Sequence, residues 1–344
     1  MRSSPRSKFL LLSSGILLLL SISVLSWFLF VPFSKTASTQ VIFIKKGTHL
    51  RKVSEVLEQE GIIKNRHFFI FLTTILGKKS SIKAGEYEFH PPIPPLKVLS
   101  ALTKGQVKHH LVTIPEGFTL SQIAQLLENL NLVEKKGFLQ KTSSPAFIEA
   151  LGLSQLAGST LEGYLFPDTY HVLREMDPED VIRMMVHQFR KVFGSDLGEG
   201  ALESGISERE VVILASIIEK ETSLSEEKPL ISAVFHNRLK KKIPLQSDPT
   251  VIYGIRHFNG NLTREDLLRP TPYNTYLLAG LPPAPICNPG RDSLLAAVRP
   301  APVSYLYFVS RNDGSHHFSS DIEEHNRAVW KYQKYPRKNS LTKK

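Results

Sequence analysis

The pattern of apolar and polar positions between residues 41 and 150 occurs twice. Segment 44–57 begins with the last residue of a strand-like apolar run, has a turn at Gly47 and continues with apolar residues at helical spacing. Segment 114–127 has the same pattern around Gly117. The positions that match beyond these segments are Ile62 and Leu132, Ile63 and Val133, and Phe68 and Phe138. Each copy is therefore predicted to form a strand, a glycine turn and an amphipathic helix.

Helical periodicity dominates the rest of the chain. The other predicted helices are 96–102, 180–193, 208–222, 225–239, 293–298 and 322–332. Alternation predicts a strand over 83–89 and a hairpin that joins 305–309 to 317–319 across Asn312-Asp-Gly314. The predicted fold class is α+β, mostly helical in its second half, with a C-terminal β-hairpin.

An uncharged apolar run from Phe9 to Val31 precedes all of these elements. Its length is close to the roughly 20 residues that cross a bilayer. Arg2, Arg6 and Lys8 lie before it, so the positive-inside rule leaves the N-terminus in the cytoplasm. A cleavable signal peptide is the alternative, but its apolar region is normally about 7–15 residues with an A-x-A-like site after it. We expect an uncleaved, single-pass transmembrane anchor.

The helix predicted from 208 to 222 carries two carboxylates in its last turn. Ser207 and Glu210 have the spacing of a capping box. At 100° per residue Glu221 shares the side of Leu214, Ile217 and Ile218, whereas Glu219 points away from it. A carboxylate that loses hydration has a raised pKa, which suits a general acid. The alternative is that both are solvated residues at a helix end.

Other polar groups are candidates for substrate contact. Glu162 lies in the aromatic and acidic segment 161–170. Either it hydrogen-bonds sugar hydroxyls, or it is a turn residue beside aromatic residues of the core. Asn237 stands late in its helix, within predicted reach of a cleft beside Glu221. Asp248 is placed as an N-cap with Pro249 at the first helical position, which leaves Gln246 as the freer group. Tyr273 and Asn274 belong to a constrained loop.

Composition narrows the function classes. The 344 residues are 42% hydrophobic, enough for about two domains, and the net charge is +11. Outside the cytoplasm this charge faces lipid head groups and wall polymers, and no nucleic-acid signature accompanies it. The lone Cys287 is predicted to be a small buried residue and not a nucleophile.

No motif for a metal, a nucleotide cofactor or a serine nucleophile is present, which leaves acid/base chemistry suited to a glycosidic bond.

The second half of the chain carries six motifs in order. They are A-S-I-I-E-K-E-T at 215–222, V-F-H-N-R-L at 234–239, L-Q-S-D-P-T-V-I-Y-G at 245–254, Y-N-T-Y at 273–276, G-L-P-P-A-P-I-C-N-P-G at 280–290 and Y-L-Y-F-V at 305–309. Together they closely resemble the YceG-like family of endolytic murein transglycosylases, and the resemblance runs from the anchor to about Trp330. Two positions depart from the family pattern: His236, which is often apolar there, and Ser247, where the family has threonine.

The resemblance implies a bacterial inner-membrane enzyme that cuts nascent peptidoglycan strands internally, between N-acetylmuramic acid and N-acetylglucosamine, and leaves a 1,6-anhydro end. Its catalytic glutamate corresponds to Glu221. The expected substrate-binding residues are Glu162, Asn237, Gln246, Asp248, Tyr273 and Asn274. No metal or cofactor is expected. The implied partners are glycan strands and the membrane, with wall synthases as candidate partner proteins and no nucleic acid.

The predicted organisation follows from these segments. It comprises a cytoplasmic N-terminus (1–8), the anchor (9–31), a tether (32–40), the repeated region (41–150), a YceG-like catalytic domain (158–333) and a basic tail (334–344). The repeats resemble LysM-like modules, which suits glycan binding; a spacer that holds the catalytic part off the membrane is the alternative.

Two other functions remain open at this level. One is a lysozyme-like hydrolase that uses Asp248 or Glu162 as a second carboxylate. The other is a non-catalytic scaffold that binds wall glycan.

Overall fold

The computed structural model describes residues 14–16, 19, 23, 38–156, 159–197 and 205–334. The predicted anchor lies almost wholly outside this part of the chain, as does nearly all of the predicted basic tail. Within the described residues, no helix is both long and apolar enough to cross a membrane.

The described chain is a mixed α+β structure in which helices predominate. The strands are β1 (Gln40–Ile44), β2 (Gly85–Phe89), β3 (His110–Thr113), β4 (Thr169–Val172), β5 (Tyr307–Ser310) and β6 (His316–Ser319). The helices are α1 (Leu50–Gln59), α2 (Arg66–Ile75), α3 (Pro95–Lys104), α4 (Leu120–Asn129), α5 (Lys135–Thr142), α6 (Pro145–Ala150), α7 (Pro178–Asp196), α8 (Glu208–Glu221), α9 (Lys228–Lys240), α10 (Asp248–Tyr253), α11 (Arg264–Leu268), α12 (Arg291–Val298) and α13 (Ile322–Val329). The strands pair as β1 with β2, β3 with β4 and β5 with β6.

Contacts divide the chain into two compact units. One comprises Met1–His110 and His171–Glu175, and the other comprises Leu111–Tyr170 and Met176–Lys344. The division therefore falls between the two copies of the repeat.

The two copies have the local structure that their pattern predicts. In each, a strand is followed by a glycine with positive φ, +83° at Gly47 and +75° at Gly117, and then by a helix. Glycine suits this backbone because it has no Cβ to clash. One detail of the alignment is wrong: Phe69, not Phe68, is the fully buried aromatic residue of the first copy.

The first unit packs its three helices on the antiparallel pair β1–β2, in which Gln40 lies opposite Phe89 and Ile44 opposite Gly85. One face of each strand and the apolar stripes of the helices form its core. The core residues are Ile42, Ile44, Val53, Leu57, Ile62, Ile63, Phe69, Leu72, Tyr87, Phe89, Val98, Leu99 and Leu102.

Helix α8 lies at the centre of the second unit. Every residue from Val211 to Ile218 is buried, and the helix packs on α9, α10 and α12. The predicted apolar stripe is therefore too narrow, because Val212 and Ala215 on the opposite side are buried as well. The last turn of the helix then reaches the edge of this core, where Lys220 is exposed and Glu221 is half-buried.

The C-terminal part follows the predicted order. Strands β5 and β6 form the expected antiparallel hairpin, with Phe308 opposite Phe318. Asp321 then caps α13 by accepting a hydrogen bond from the backbone N–H of Glu324 at 2.8 Å.

Candidate active site

Glu221 is the last residue of α8. The capping box predicted for Ser207 and Glu210 starts this helix, and the apolar run leads it through the core. The Glu221 side chain is half-buried, and the Ser247 hydroxyl donates a hydrogen bond to its Oε1 at 2.5 Å. Burial raises the pKa of Glu221 to about 7; the Ser247 hydrogen bond lowers the pKa and the charge of Asp248 raises it. A protonated carboxyl is thus available near neutral pH.

The segment that presents Ser247 is fixed by backbone hydrogen bonds. Gln246 has a positive φ of +54°, unusual for a residue with a side chain. Its N–H donates to the Thr275 carbonyl at 3.0 Å, and the Ser247 N–H donates to the Thr275 hydroxyl at 3.0 Å. The Gln246 side chain is exposed, and its Oε1 accepts a hydrogen bond from Arg238 at 3.1 Å.

Arg238 stabilises the segment that carries Ser247, a role that the sequence did not indicate. Its guanidinium is buried and donates to the carbonyls of Leu306, Pro244 and Leu245 at 2.7 to 3.0 Å. A planar guanidinium with five N–H groups can satisfy several carbonyls at once. Arg238 therefore ties α9 to the residue directly before β5 and to the segment that carries Ser247. A basic residue in the last turn of a helix gave no sequence signal of this role.

Asp248 begins helix α10 and faces the Y-N-T-Y loop. The N-cap of α10 is Ser247, so the predicted capping role of Asp248 is wrong. Its Oδ1 accepts a hydrogen bond from the Tyr276 hydroxyl at 2.5 Å. Two residues further along the helix, the hydroxyls of Thr250 and Thr275 are 2.8 Å apart. The Y-N-T-Y loop thus runs alongside α10 in the antiparallel direction.

The same pairing continues to the end of α10, where the rings of Tyr253 and Tyr273 pack edge to face with centroids 4.9 Å apart. Asn274 is fully buried, and its amide donates to the carbonyls of Leu267 and Arg269 at 2.9 and 2.8 Å. Asn274 therefore shapes the loop from inside, while Tyr273 remains half-buried at its surface.

Glu162 is buried, with 4% of its surface exposed. It accepts hydrogen bonds from the Leu120 N–H at 3.0 Å, from the Asn288 amide at 3.0 Å and from the Tyr253 hydroxyl at 3.2 Å. Burial raises its pKa to about 8, and these three donors oppose the rise. Its neighbours Tyr164 and Phe166 are core residues. Glu162 thus joins three segments of the second unit from within.

Asn288 completes this network. Its Oδ1 accepts hydrogen bonds from the backbone N–H groups of Gly163 and Leu165 at 3.0 and 2.9 Å, and its amide also donates to the Phe118 carbonyl at 2.9 Å. In the sequence, Asn288 was notable only as a member of the motif at 280–290.

Glu219 is separated from Glu221, as the helical wheel predicts. It accepts hydrogen bonds from the Gly290 N–H at 3.0 Å and from the Ser293 hydroxyl at 2.6 Å, and it pairs with Lys228 at 3.3 Å. The side chains of Glu219 and Lys228 are 8% and 3% exposed. Glu219 therefore holds α8, α9 and α12 together.

The residues after α8 are tied to the hairpin through Glu227. This buried carboxylate accepts hydrogen bonds from the His316 N–H at 2.8 Å and from the Thr222 hydroxyl at 3.4 Å, and it lies 2.6 Å from Nδ1 of His316. The end of the helix that carries Glu221 is thereby fixed. The sequence offered no signal of this pair.

The remaining predicted residues have internal partners. The Asn237 amide donates to the carbonyls of Val303 and Tyr305, both at 2.9 Å. His236, to which no role was assigned, lies 2.8 Å from the Ala297 carbonyl oxygen. Cys287 is fully buried, as predicted, and burial raises the pKa of its thiol well above its ordinary value. Such a thiol is not a nucleophile at neutral pH.

Comparisons with known proteins agree with the motifs. The YceG-like family model matches residues 42–331. A Bacillus subtilis (strain 168) protein named endolytic murein transglycosylase is 32% identical over 318 residues, which cover 88% of this chain and 87% of that protein. A protein of the same name from Streptococcus pneumoniae serotype 2 (strain D39 / NCTC 7466) is 29% identical over 315 residues; the match covers 83% of this chain and 57% of the relative.

A solved structure shares the fold. The crystal structure of a YceG-like protein from Listeria monocytogenes aligns with a TM-score of 0.58 and 31% identity, covering 85% of this chain and 100% of that one. With the family model matching most of the sequence, the chain belongs to the YceG-like family and is an enzyme, a lytic transglycosylase.

Proposed function

We propose that this enzyme cleaves peptidoglycan glycan strands internally, between N-acetylmuramic acid and N-acetylglucosamine, with Glu221 as its single general acid and base. The observation that carries the proposal is the placement of Glu221 at the end of a helix that is buried on all sides over residues 211–218, with a pKa of about 7. The names of the relatives supply the substrate class, murein.

The reaction requires one carboxyl that first gives and then takes a proton. Protonated Glu221 donates its proton to the glycosidic oxygen as the bond from that oxygen to C1 of the muramic acid breaks. The resulting carboxylate accepts the proton of the muramic acid 6-hydroxyl while that oxygen forms a new bond to C1. Glu221 is regenerated in its protonated form, and the products are a free hydroxyl on one fragment and a 1,6-anhydro end on the other.

Two neighbours adjust Glu221 for both steps. The Ser247 hydroxyl donates to the carboxylate form and so stabilises it after the first proton transfer. The negative charge of Asp248 favours the protonated form before that step. Because Asp248 itself accepts a hydrogen bond from Tyr276, its position is held by the loop along α10.

The hydrolase alternative needs a second carboxylate that reaches the sugar. Glu162 is poorly suited to this role because three donors enclose it in the interior. Asp248 remains the candidate that would support hydrolysis. The products distinguish the two reactions, since hydrolysis leaves reducing ends and the proposed reaction leaves anhydro ends.

The segments that precede the catalytic domain are proposed to hold it at the membrane and on its substrate. Residues 9–31 are proposed to anchor the protein in the cytoplasmic membrane with the N-terminus inside and the catalytic domain outside. The repeated region is proposed to contribute LysM-like contacts to glycan. Fractionation of cells, with protease access to the domain from each side, tests the orientation.

The central test is the Glu221→Gln variant of the full chain on purified glycan strands. Loss of the general acid is expected to lower the cleavage rate about 10²- to 10⁴-fold. Mass spectrometry should detect 1,6-anhydro ends in the wild-type products. Cleavage by Glu221→Gln at the wild-type rate, or reducing ends alone in the wild-type products, would contradict the proposal.

A matched control is Glu226→Gln. Glu226 is an exposed glutamate five positions further along the chain, so the same substitution is made there without touching the buried helix. Its rate should equal that of the wild type. If wild type and Glu221→Gln both bind glycan and neither forms product, the chain acts as a scaffold instead.

A further inference from the structure

A cavity of about 470 Å³ opens in the second unit beside the far end of α10. Its lining residues are Ser143, Pro145, Ser159, Thr160, Tyr253 and Tyr273. The volume lies within the range of about 300–1,000 Å³ that is usual for small-ligand sites. None of the reaction steps above uses this cavity.

The cavity and Glu221 lie at opposite ends of α10. Ser247, directly before α10, donates to Glu221, and Tyr253 is the last residue of the helix. At 1.5 Å per residue, Asp248 and Tyr253 are about 7.5 Å apart along the helix axis. One extended glycan chain is long enough to reach both ends.

The aromatic wall of the cavity is held in place from behind. The Tyr253 hydroxyl donates to the buried Glu162, and the Tyr253 ring packs against Tyr273. A ring fixed in this way loses little conformational freedom when a ligand stacks on it. Aromatic faces of this kind pack well against the apolar faces of sugar rings.

The lining also determines which sugar fits. It contains three aliphatic hydroxyls, of Ser143, Ser159 and Thr160, beside the two tyrosines, and no charged side chain. Hydroxyls can pair with the hydroxyl and acetamido groups of a neutral hexosamine. A sugar that carries a carboxylate would lose hydration there without a cation to replace it, which is unfavourable.

We infer that this cavity is a saccharide subsite, which binds an uncharged N-acetylhexosamine ring of the strand whose bond Glu221 cleaves. The inference rests on the proposed function for the identity of the strand. The subsite would position the strand relative to the cleaved bond and so set where the enzyme cuts.

The test uses the full chain carrying Glu221→Gln, so that bound sugar is not consumed, and an oligomer of N-acetylglucosamine as the probe. Calorimetry should show that Tyr273→Ala weakens binding of the oligomer about five- to tenfold, the loss expected when one aromatic contact is removed. Tyr273→Phe keeps the ring and should bind as the parent does. Phe71→Ala removes an exposed aromatic side chain elsewhere and serves as the control.

Circular dichroism establishes that each variant is folded, and Thr160→Val gives a second, milder perturbation of the lining with a smaller loss of binding. Equal affinity of the parent and Tyr273→Ala for the oligomer would overturn the subsite. The proposed function is judged separately, by anhydro ends in the products of the enzyme with Glu221 intact. Those ends would still form if the subsite were wrong.

Discussion

The buried carboxyl of Glu162 makes the stability of this protein depend on pH. Its pKa is about 8 in the folded chain, against 4.5 for an ordinary glutamate. Below pH 4.5 both the folded and the unfolded chain hold the proton, and the contribution of the group is fully present. As pH rises towards 8 the unfolded chain releases the proton while the folded chain retains it, so the free energy of unfolding falls.

The size of the effect follows from the separation of the two pKa values. About 8 minus 4.5 is about 3.5 pH units, and 1.36 kcal/mol per unit gives an upper limit of about 5 kcal/mol. Glu162→Gln removes the titration, since glutamine keeps an acceptor for the Leu120 N–H and the Asn288 amide and remains neutral. The variant is therefore expected to gain stability relative to wild type as pH rises, by about 2–5 kcal/mol between pH 4.5 and 8.5.

The assay is urea unfolding of the purified full chain, followed by far-UV circular dichroism at half-unit steps of pH. The quantity of interest is the difference in unfolding free energy between Glu162→Gln and wild type, because other groups that titrate cancel in it. Glu226→Gln, at an exposed site, should show no such trend. A Glu162→Gln difference that stays constant to within about 0.5 kcal/mol across the range would refute the assignment of a neutral buried carboxyl.

Two further predictions concern residues around the catalytic helix. Ser247→Ala removes the hydrogen bond that favours the Glu221 carboxylate, so the pKa of Glu221 should rise and the alkaline limb of the pH–rate profile should move to higher pH; Ser247→Thr keeps the hydroxyl and should leave that limb in place. Glu219→Ala leaves the charge of Lys228 buried without its close partner and should lower the unfolding free energy by about 3–5 kcal/mol in urea titrations. Much of that loss should return when Lys228→Met is added, and a stable Glu219→Ala single variant would contradict the assigned role.

The amino-acid sequence by itself determined the features that depend on neighbours in the chain. The capping box at Ser207 starts α8 where predicted, and the glycine turns at 47 and 117 recur with their helices. The periodicity of α8 also separated Glu221 from Glu219. These predictions succeeded because capping, turn formation and helical spacing act over a few residues.

Only the tertiary structure decided which polar groups are enclosed and by what. Glu162 is paired with Tyr253 and Asn288, which lie 91 and 126 positions away, and no local pattern encodes such partners. For the same reason the sequence misplaced Asp248 as a cap and did not reveal that Tyr276 donates to Asp248 or that Arg238 donates to Gln246. Burial of a polar group must be compensated by hydrogen bonds, and those come from wherever the fold brings a donor.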